Sequence, residues 1–383
     1  MERAELIAAL REFAGPALVE RGNAFFLVDP SWGERERAQW AALAERLPAN
    51  GDGGSGWLCI PTGGSSGAMK LARHDEATIG AAVRGFCVHF GVTRVDALGL
   101  LPAWHVSGLM AWARGRFTGG TYRACDWKAV ERGERPASLG SGAEFLSLVP
   151  TQLARLLKDP GATAWLREFR AVLIGGGPAW PELRDRARAE RLPLAFSYGM
   201  TETAALVAAQ RPGEFLAGDD SSGGALPHAR ISTEEDGRVS IDAASLFRGY
   251  WPDARPAGPW RTDDLGELDE RGRLRVLGRA DALIITGGEK VNPAEVEAAL
   301  RAAGGAALAD VAVVGAPHPE WGSEVVAFYL GGAELEAGLR AGLAGMLAPA
   351  KRPKRYLALP ADRWPRDARG KINRAALARL AAG

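Results

Sequence analysis

Apolar and polar residues recur along the chain with two different spacings. Between residues 79 and 90 the apolar side chains repeat at helical spacing and Gly91 follows, which predicts an amphipathic helix with a glycine stop. Short apolar runs predict buried strands, and strands that alternate with helices predict a parallel, doubly wound sheet. The predicted strands lie at residues 24–28, 57–60, 95–100, 171–174 and 194–197, with one or two helices before residue 50 and further helices around 143–157 and after Pro181.

After about residue 204 the pattern changes to that of antiparallel strands. Asp236 and Gly237 form a turn between short segments at residues 230–232 and 239–241 in which apolar and polar residues alternate, which is typical of a hairpin. A polar turn at residues 270–272 joins two more predicted strands. These signals indicate a β-rich subdomain.

A third region begins near residue 279. It contains a predicted strand at residues 282–285 and then a helix start with a capping residue, a first-turn proline and a capping-box acid: Asn292, Pro293 and Glu295. We therefore predict an α/β protein. Residues 1–279 form a large N-terminal domain with doubly wound sheets plus the β-rich subdomain, and residues 280–383 form a small α+β C-terminal domain.

Composition excludes several classes of protein. The 47 basic and 46 acidic residues leave a net charge of +1, and 47% of the residues are hydrophobic, which disfavours both a nucleic-acid-coating role and disorder. Three scattered cysteines are too few for a disulfide framework or a paired-cysteine metal site and fit a reducing compartment. No uncharged apolar run approaches the ~20 residues of a membrane span. We therefore expect a cytoplasmic protein without nucleic-acid or membrane partners.

The first candidate site is a loop rich in glycine and hydroxyl residues after the strand predicted at 57–60. Its backbone N–H groups can converge on phosphate oxygens, and Lys70 adds positive charge. It differs from a Walker loop because Ala68 and Met69 separate Lys70 from the last glycine and Leu71 follows it. The alternative interpretation is a Gly/Ser linker. The rest of the loop is Thr62, Gly63, Gly64, Ser65, Ser66 and Gly67.

Three further segments carry candidate chemistry. Thr201 and Glu202 follow a predicted parallel strand, where open α/β sheets bind ligands, and can contact phosphate and a divalent cation. Asp264 followed by Arg279 suits the hydroxyls of a ribose, although an exposed charged hairpin is an equal alternative. Lys371 lies in a basic run near the C-terminus, and such runs are usually solvated helix starts.

Together, these four segments in this order resemble the acyl-adenylate-forming (AMP-binding) superfamily, over a span from about residue 57 to the C-terminus. Residues 101–108, 147–157, 175–178 and 243–251 are similar to the o-succinylbenzoyl-CoA synthetases, ligases of menaquinone and phylloquinone biosynthesis. Members of that subfamily have short chains, as this protein does. Because the phosphate loop begins here at Thr62, the N-terminal subdomain must be abbreviated.

The resemblance implies an AMP-forming acid:CoA ligase that uses ATP, Mg²⁺ and CoA, with o-succinylbenzoate as the expected acid. Lys371 is the implied catalytic lysine, on a mobile C-terminal domain that swings about Asp281. Thr201 would touch the α-phosphate and Glu202 would bind the metal. The implied ligand-binding residues are Thr62, Gly64, Ser65, Ser66, Gly67 and Lys70 for the phosphates, Gly175, Gly176, Gly177, Tyr198 and Gly199 around the adenine, Asp264 and Arg279 for the ribose, and Gly287 and Gly288 for CoA.

The acid pocket is assigned in the same way. His105, within a Pro-x-x-His-x-x-Gly frame, would gate access to the reacting carboxylate. The second carboxylate of o-succinylbenzoate also needs a partner, because a buried unpaired charge is costly, and Ser107 and Arg155 are the candidates. Arg155 has an equal alternative as an ordinary exposed arginine. Two positions depart from the superfamily: Gly63 stands where serine is usual and Asp263 where glycine is usual.

Three alternatives remain open. The chain could activate another aryl or acyl acid, load a carrier protein instead of CoA, or be an inactive paralogue that binds nucleotide. The acceptor in the second step separates the first two, and Gly63 keeps the third open. The superfamily often forms dimers, so a homodimer is compatible with the resemblance.

Overall fold

The computed structural model describes residues 1–46, 56–63, 69–140, 142, 144–366 and 372–383. The chain divides into two compact units: Met1–Thr262 with Gly266–Val276, and Asp263–Leu265 with Leu277–Gly383. The domain boundary expected after residue 279 stays a prediction. None of the described helices is both long and apolar enough to span a membrane.

The helices and strands take their bounds from the described residues. The α-helices are α1 (Arg3–Ala14), α2 (Glu34–Ala44), α3 (Glu76–Phe90), α4 (Val106–Thr118), α5 (Trp127–Glu131), α6 (Pro150–Leu156), α7 (Pro160–Leu166), α8 (Pro181–Ala189), α9 (Pro212–Leu216), α10 (Pro293–Gly304), α11 (Leu335–Met346) and α12 (Arg374–Ala382). The strands are β1 (Leu18–Arg21), β2 (Ala24–Leu27), β3 (Leu58–Gly63), β4 (Met69–His74), β5 (Asp96–Gly99), β6 (Tyr122–Ala124), β7 (Glu144–Leu148), β8 (Ala171–Ile174), β9 (Leu194–Met200), β10 (Ala205–Ala209), β11 (Gly224–Ala225), β12 (Ala229–Thr233), β13 (Arg238–Ala243), β14 (Trp260–Leu268), β15 (Leu274–Arg279), β16 (Ile284–Thr286), β17 (Glu289–Val291), β18 (Asp310–His318), β19 (Gly322–Leu330) and β20 (Arg355–Leu359).

The largest sheet of the first unit has the order β11-β10-β9-β8-β7-β5-β6, and its strands from β9 to β6 run parallel. Strand β8 shows why its strands read as continuous apolar runs. Val172 and Ile174 face the cluster that α6, α7 and α8 cover, whereas Ala171 and Leu173 face the side of α3. Both faces of the sheet are therefore buried, as in doubly wound folds. The predicted α/β class is confirmed.

Most predicted elements form, and α3 does so for the expected reasons. Asp75 caps its first turn by accepting from the backbone N–H of Thr78 at 2.9 Å. Gly91 ends the helix in the left-handed region, with φ of 62°. The hairpin predicted around Asp236 and Gly237 is the β12–β13 pair.

The helix predicted around residues 143–157 is wrong over its first half. Residues 144–148 form the buried strand β7, paired with β5 and β8, and the helix α6 begins only at Pro150. Proline disfavours helical geometry in the residue before it and is well suited to the first turn of a helix. Pro150 therefore separates the two elements, and its position was the signal for the boundary.

Two smaller expectations in the third region also need correction. The strand predicted at residues 282–285 is β16, which begins at Ile284 after a short 3₁₀ turn. Asn292 caps α10 by accepting from the N–H of Ala294 at 3.0 Å. The Glu295 carboxylate, however, accepts from Lys351 Nζ at 2.7 Å instead of closing a capping box.

A second sheet of the first unit, β1-β2-β3-β4, carries the predicted phosphate loop between β3 and β4. Strand β4 is also bonded on its other side. The N–H of Trp251 donates to the carbonyl of Leu71, and the N–H of Arg248 donates to the carbonyl of Arg73, both at 2.8 Å. Residues 248–251 thus extend this sheet. A third sheet has the order β12-β13-β14-β15.

In the second unit, β17-β16-β19-β18 form a sheet with β20 beside β19. Its core lies between the sheet and α10 and α11, and α12 packs against β18. Gly287 and Gly288 make the tight turn between β16 and β17, with φ of 55° and 86°. Positive φ at both positions is the requirement of such a hairpin turn, and glycine meets it at no steric cost.

Candidate functional site

The candidate residues of the first unit follow the carboxyl ends of parallel strands. Strands β5, β7, β8 and β9 run in the same direction, so the segments after them meet at one edge of the sheet. Open α/β sheets bind ligands at this edge. The segments that follow these four strands contain His105, Arg155, Gly175 to Gly177, and Thr201 with Glu202, respectively.

A short 3₁₀ turn, Thr201–Thr203, connects β9 to β10. The next two residues, Ala204 and Ala205, have positive φ of 51° and 73°, which L residues seldom adopt. Gly199 is required here, because a Cβ at this position would lie 1.9 Å from the carbonyl oxygen of Ala205. The turn is therefore a tight, strained link that its surroundings must hold in place.

His74, at the end of β4, holds this turn. Its Nε2 lies 2.8 Å from the carbonyl oxygen of Thr201. The carbonyl oxygen only accepts, so Nε2 carries the proton and donates it. The ring is fully buried, and burial lowers the pKa of His74 to about 4. The histidine is therefore neutral at pH 7, with Nδ1 facing the Thr78 hydroxyl oxygen at 3.1 Å.

Glu202 is buried, and its carboxylate accepts a 2.6 Å hydrogen bond from the Tyr250 hydroxyl. Lys70 Nζ lies 4.9 Å from the centre of the same tyrosine ring. Thr62 is the cross-strand partner of Lys70 in the β3–β4 pair. Tyr250 thus joins the predicted phosphate lysine to the predicted metal carboxylate. The loop residues Gly64, Ser65, Ser66 and Gly67 lie outside the described residues.

The predicted adenine residues lie next to one another. Gly175 to Gly177 follow β8 and Tyr198 lies on the neighbouring β9. A Cβ at Gly175 would approach the Ser197 hydroxyl to 3.0 Å. Gly176 has φ of 77°, which lets the chain turn away from the strand. The structure therefore brings these glycines to the same edge as Thr201.

The Pro-x-x-His-x-x-Gly frame has a packing reason. His105 occupies the N-cap position of α4 without a side-chain capping bond, and its backbone N–H donates to the carbonyl of Pro102 at 3.1 Å. A Cβ at Gly108 would lie 2.1 Å from that same carbonyl oxygen. The first turn of α4 can therefore pack on the preceding segment only with glycine at this position. Ser107 lies in that first turn.

Arg114 was not predicted from the sequence, and it lies on the same face of α4 as Ser107. The two residues are seven positions apart, about two helical turns, with Ala111 between them. The Arg114 side chain is buried and stacks over the Phe86 ring at 4.2 Å. Among the described residues no carboxylate pairs with it, and its Nε has no hydrogen-bond partner. Burial lowers the pKa of Arg114 to about 10.

A second polar group near Arg114 has no partner either. Neither ring nitrogen of His228 has a hydrogen-bond partner among the residues that the structure describes. The pKa of His228 falls to about 4, first because of burial and then because of the charges on Arg114 and Arg84. His228 packs so closely on α3 that a Cβ at Gly85 would lie 1.8 Å from its Nδ1. Within the described part of the chain, no acidic side chain pairs with Arg114 or His228.

Arg155, the predicted carboxylate partner, has a different environment. Its Nη1 donates to Glu131 at 2.8 Å, and its side chain is 47% exposed. An exposed arginine that already pairs with an acidic side chain does not need a substrate carboxylate to balance its charge. The alternative given above, an ordinary surface arginine, describes this geometry.

In the second unit, Arg279 is surrounded by carboxylates. Its Nε and Nη2 donate to the two oxygens of Asp281 at 2.8 and 2.7 Å, and its Nη1 lies 3.3 Å from Asp264. Asp263 is further away, at 3.6 Å. The hydrogen bonds to Asp281 raise the pKa of Arg279 above its usual value. The two predicted ribose residues, Asp264 and Arg279, are thus in contact, and Arg279 also contacts the predicted hinge residue Asp281.

The remaining predicted residues of the second unit differ in what can be said of them. Gly287 donates its backbone N–H to the carbonyl of Trp321 at 3.0 Å, and Gly288 completes the turn. Lys371 lies outside the described residues. The roles assigned to all these residues stay predictions.

Sequence reasoning missed His74, Tyr250 and Arg114. His74 follows Lys70 by four positions, so on a strand both side chains point to one face, and that period was the available signal. The seven-residue spacing of Arg114 from Ser107 puts both on one face of a helix, but that spacing alone did not separate Arg114 from Arg155 as the carboxylate partner. Tyr250 left no such signal, because its contact with Glu202 joins residues 48 positions apart.

The residues present fit a magnesium ion bound mainly by substrate. No group of three or more His, Cys, Asp or Glu side chains able to hold a metal occurs among the described residues. Mg²⁺ in nucleotide enzymes is commonly bound by one or two carboxylates together with phosphates and water. The single buried carboxylate of Glu202 meets this requirement.

Comparison with known proteins matches both parts of the chain to one enzyme family. Residues 17–251 match the AMP-binding enzyme family, and residues 295–371 match the AMP-binding enzyme C-terminal domain. A probable 2-succinylbenzoate–CoA ligase of Mycobacterium tuberculosis is 36% identical over 343 residues, which covers 85% of each chain. The 2-succinylbenzoate–CoA ligase of Listeria monocytogenes serotype 4b is 33% identical, covering 75% of this chain and 62% of the relative.

Solved structures are similar over most of the chain. The o-succinylbenzoate CoA synthetase of Bacillus subtilis, in complex with the acyl-adenylate intermediate OSB-AMP, has a TM-score of 0.74 at 26% identity and covers 98% of this chain and 81% of its own. ATP-bound MatB from Rhodopseudomonas palustris has a TM-score of 0.72 at 26% identity and covers 85% of this chain and 69% of its own.

Proposed function

Because the chain belongs to the AMP-binding enzyme family, we propose that it is an ATP-dependent acid:CoA ligase that converts o-succinylbenzoate to o-succinylbenzoyl-CoA. In the first half-reaction a carboxylate oxygen bonds to the α-phosphorus of ATP and pyrophosphate leaves. In the second, the CoA thiol bonds to the acyl carbon and AMP leaves. The names and bound ligands of the relatives support this order, since they include an acyl-adenylate complex and ATP with magnesium.

The first unit supplies the groups for adenylation. Thr62 and Lys70, paired across β3 and β4, hold the terminal phosphates, and the Thr201 hydroxyl contacts the α-phosphate. Glu202, oriented by Tyr250, binds Mg²⁺, which neutralises phosphate charge when bound. Fixed charges and dipoles of this kind are the main source of acceleration at a phosphoryl centre.

The second unit supplies the ribose contacts and the catalytic lysine. Asp264 accepts from the ribose hydroxyls while Arg279 keeps the carboxylate oriented, and Lys371 stabilises the charge that develops during adenylation. Gly287 and Gly288, which have no Cβ, let the backbone approach the arm of CoA. Asp281 is the hinge residue of this proposal.

The buried guanidinium of Arg114 is the observation that carries the choice of acid. A buried cation without an acidic partner is costly, and an anionic group of the substrate removes that cost. On α4 the order from the helix start is Ser107, the small apolar Ala111 and then Arg114. This face suits an aromatic ring with a carboxylate at its far end. We therefore assign the second carboxylate to Arg114, with Ser107 beside the ring, in preference to Arg155.

The test is pyrophosphate release by the purified protein with ATP, Mg²⁺ and o-succinylbenzoate, with and without CoA, beside a panel of benzoates and fatty acids. Mass spectrometry identifies the products. The expected result is a CoA thioester formed from o-succinylbenzoate alone. Preference for an acid with one carboxylate would remove the role of Arg114, and a product on a carrier protein would replace CoA as acceptor. Absence of activation with every acid would favour the inactive paralogue.

The cytoplasmic location and the compatibility with a homodimer stay predictions. Sedimentation of the purified protein over a range of concentrations tests the second. A single monomeric species throughout would exclude the dimer.

A further inference from the structure

Strand β4 connects two parts of the proposed adenylation site. Lys70 and His74 lie four positions apart on it, about 13 Å along the strand. Residues 248–251 are bonded along its free edge, where the N–H of Arg73 donates to the carbonyl of Gly249 at 2.9 Å. Tyr250, which contacts Glu202, belongs to that edge segment. The strand therefore sets the distance between the phosphate lysine and the turn that carries Thr201.

Hydrogen bonds from other segments of the unit hold the strained turn in place. Positive φ at Ala204 and Ala205 is a strained backbone conformation that persists only when the surroundings enforce it. The N–H of Phe247 donates to the carbonyl of Glu202 at 2.8 Å. His74 bonds the carbonyl of Thr201. These two bonds hold the carbonyl of the peptide that joins Thr201 to Glu202 and the carbonyl of the peptide that follows it.

The bond from His74 is directional and permanent at neutral pH. Its neighbours on β4 and α3 are accounted for: Asp75 accepts from Arg248 at 2.7 Å, and Thr78 faces Nδ1. The ring is completely enclosed, which excludes water as a competing donor. The Thr201 carbonyl also accepts the N–H of Ala204 at 3.2 Å, a bond inside the turn, so His74 is the donor that ties this carbonyl to another element. Loss of the His74 donor leaves one acceptor site of the carbonyl unpaired in a partly buried setting, which costs desolvation free energy and lets the turn shift.

We infer that His74 is a positioning residue for adenylation, whose Nε2–H holds the Thr201 carbonyl so that the Thr201 hydroxyl and the Glu202 carboxylate face the nucleotide held by Lys70. The inference rests on the proposed function and adds a residue to it. The histidine touches neither nucleotide nor acid. It acts only through the turn.

The test compares two substitutions of His74. Gln in His74→Gln places an amide N–H close to the position of Nε2, whereas His74→Leu keeps a similar volume and removes the donor. His89→Leu is the matched control, because His89 is also buried and burial also lowers its pKa, yet its ring packs on Phe90 away from the turn. Each protein is assayed for acyl-AMP formation and, separately, for thioester formation from supplied acyl-AMP.

We expect His74→Leu to lower the rate of acyl-AMP formation by about 10- to 100-fold, the equivalent of one lost buried hydrogen bond. His74→Gln should recover to within about threefold of the parent. Thioester formation from supplied acyl-AMP should change by less than about threefold in both, and His89→Leu should leave the ratio of the two half-reactions unchanged. Equal loss of both half-reactions in His74→Leu, or a His74→Gln protein as impaired as His74→Leu, would overturn the inference.

Equilibrium binding of MgATP, measured by calorimetry on the same proteins, separates this inference from the proposed function. If the parent binds MgATP but activates no acid, the proposed function fails and binding decides the role of His74. A roughly tenfold weaker affinity in His74→Leu that His74→Gln restores supports positioning. Equal affinities in all three proteins would refute it.

Discussion

Each unit of the molecule places one arginine at its proposed ligand site, and the two arginines have opposite surroundings. Arg114 in the first unit is 3% exposed and no described carboxylate pairs with it. Arg279 in the second unit has a side chain that is 44% exposed and lies within 4 Å of three carboxylates. Among the described residues, Arg114 therefore has no carboxylate to balance its positive charge, whereas Arg279 has three.

This contrast shows how each site is prepared for its ligand. A buried cation without a partner destabilises the empty protein and gains an ion pair when an anion arrives. An exposed cation among carboxylates keeps its charge solvated and contributes little to stability, so it can exchange partners cheaply. We therefore expect changes in the first unit to alter both stability and substrate choice, and changes in the second to alter nucleotide binding or catalysis with little effect on stability.

The largest effect should come from the second unit. Lys371→Ala should suppress acyl-AMP formation by about 10²- to 10³-fold, on the scale of losing one key electrostatic group, and spare thioester formation from supplied acyl-AMP. Separate assays of the two half-reactions measure this. Equal loss in both would remove the assignment of Lys371 and weaken the contrast between the units.

Acid sensitivity should come from the first unit. The pKa of His74 is about 4 in the folded protein, against 6.5 for an ordinary histidine. Between pH 6.5 and 4 the unfolded chain therefore binds a proton at His74 that the folded chain does not bind. The free energy of unfolding is at its full value above pH 6.5 and decreases as the pH falls toward 4. The loss for a buried group amounts to about 3 kcal/mol.

Urea unfolding of the parent and His74→Leu between pH 7.5 and 4.5 measures that loss. The difference in unfolding free energy between the two proteins should shrink as the pH falls. A difference that stays constant over this range would place the acid sensitivity elsewhere. His228 should add a smaller slope of the same sign, since its pKa is also about 4 but its side chain is only partly buried.

The sequence predicted those parts of the site that depend on neighbouring residues and not those that depend on contacts between distant parts of the chain. The turn at Thr201 was predictable, because strand and turn signals are local, whereas the helix α4 (Val106–Thr118) was not predicted. The partner of the second carboxylate was not. Arg114 and Arg155 both lie on helices that follow parallel strands, and only the packing shows that one is buried and the other pairs with Glu131. The proline at Pro150 was a local signal that the helical pattern obscured.

Arg114→Met tests that distinction directly. The Michaelis constant for o-succinylbenzoate should rise by about 100-fold, because a buried charge pair is lost. The unfolding free energy should stay constant or increase, since the empty protein no longer buries an unpaired charge. Arg155→Met is the matched control and should change the Michaelis constant by less than about twofold. Similar effects of the two substitutions would contradict the assignment.

Asp264→Asn examines the exposed cluster of the second unit. The Michaelis constant for ATP should rise by about 30-fold, as expected for losing charged hydrogen bonds to the ribose, while the unfolding free energy changes by less than about 0.5 kcal/mol. Asp263→Asn provides the control, because its carboxylate lies furthest from Arg279, at 3.6 Å. If both substitutions weaken ATP alike, the cluster acts through its net charge and not through a ribose contact.

The smallest effect should arise where the first unit orients a ligand without touching it. Tyr250→Phe removes the 2.6 Å hydrogen bond to Glu202 and leaves the ring beside Lys70 in place. The concentration of Mg²⁺ needed for half-maximal acyl-AMP formation should rise by about tenfold, the effect of removing a group that orients a metal ligand. The Michaelis constant for the acid should stay constant, because the tyrosine faces the nucleotide side of the site. A change in acid preference with no change in Mg²⁺ dependence would mean that another group orients Glu202. It would also mean that nucleotide and acid contacts in the first unit are not separate.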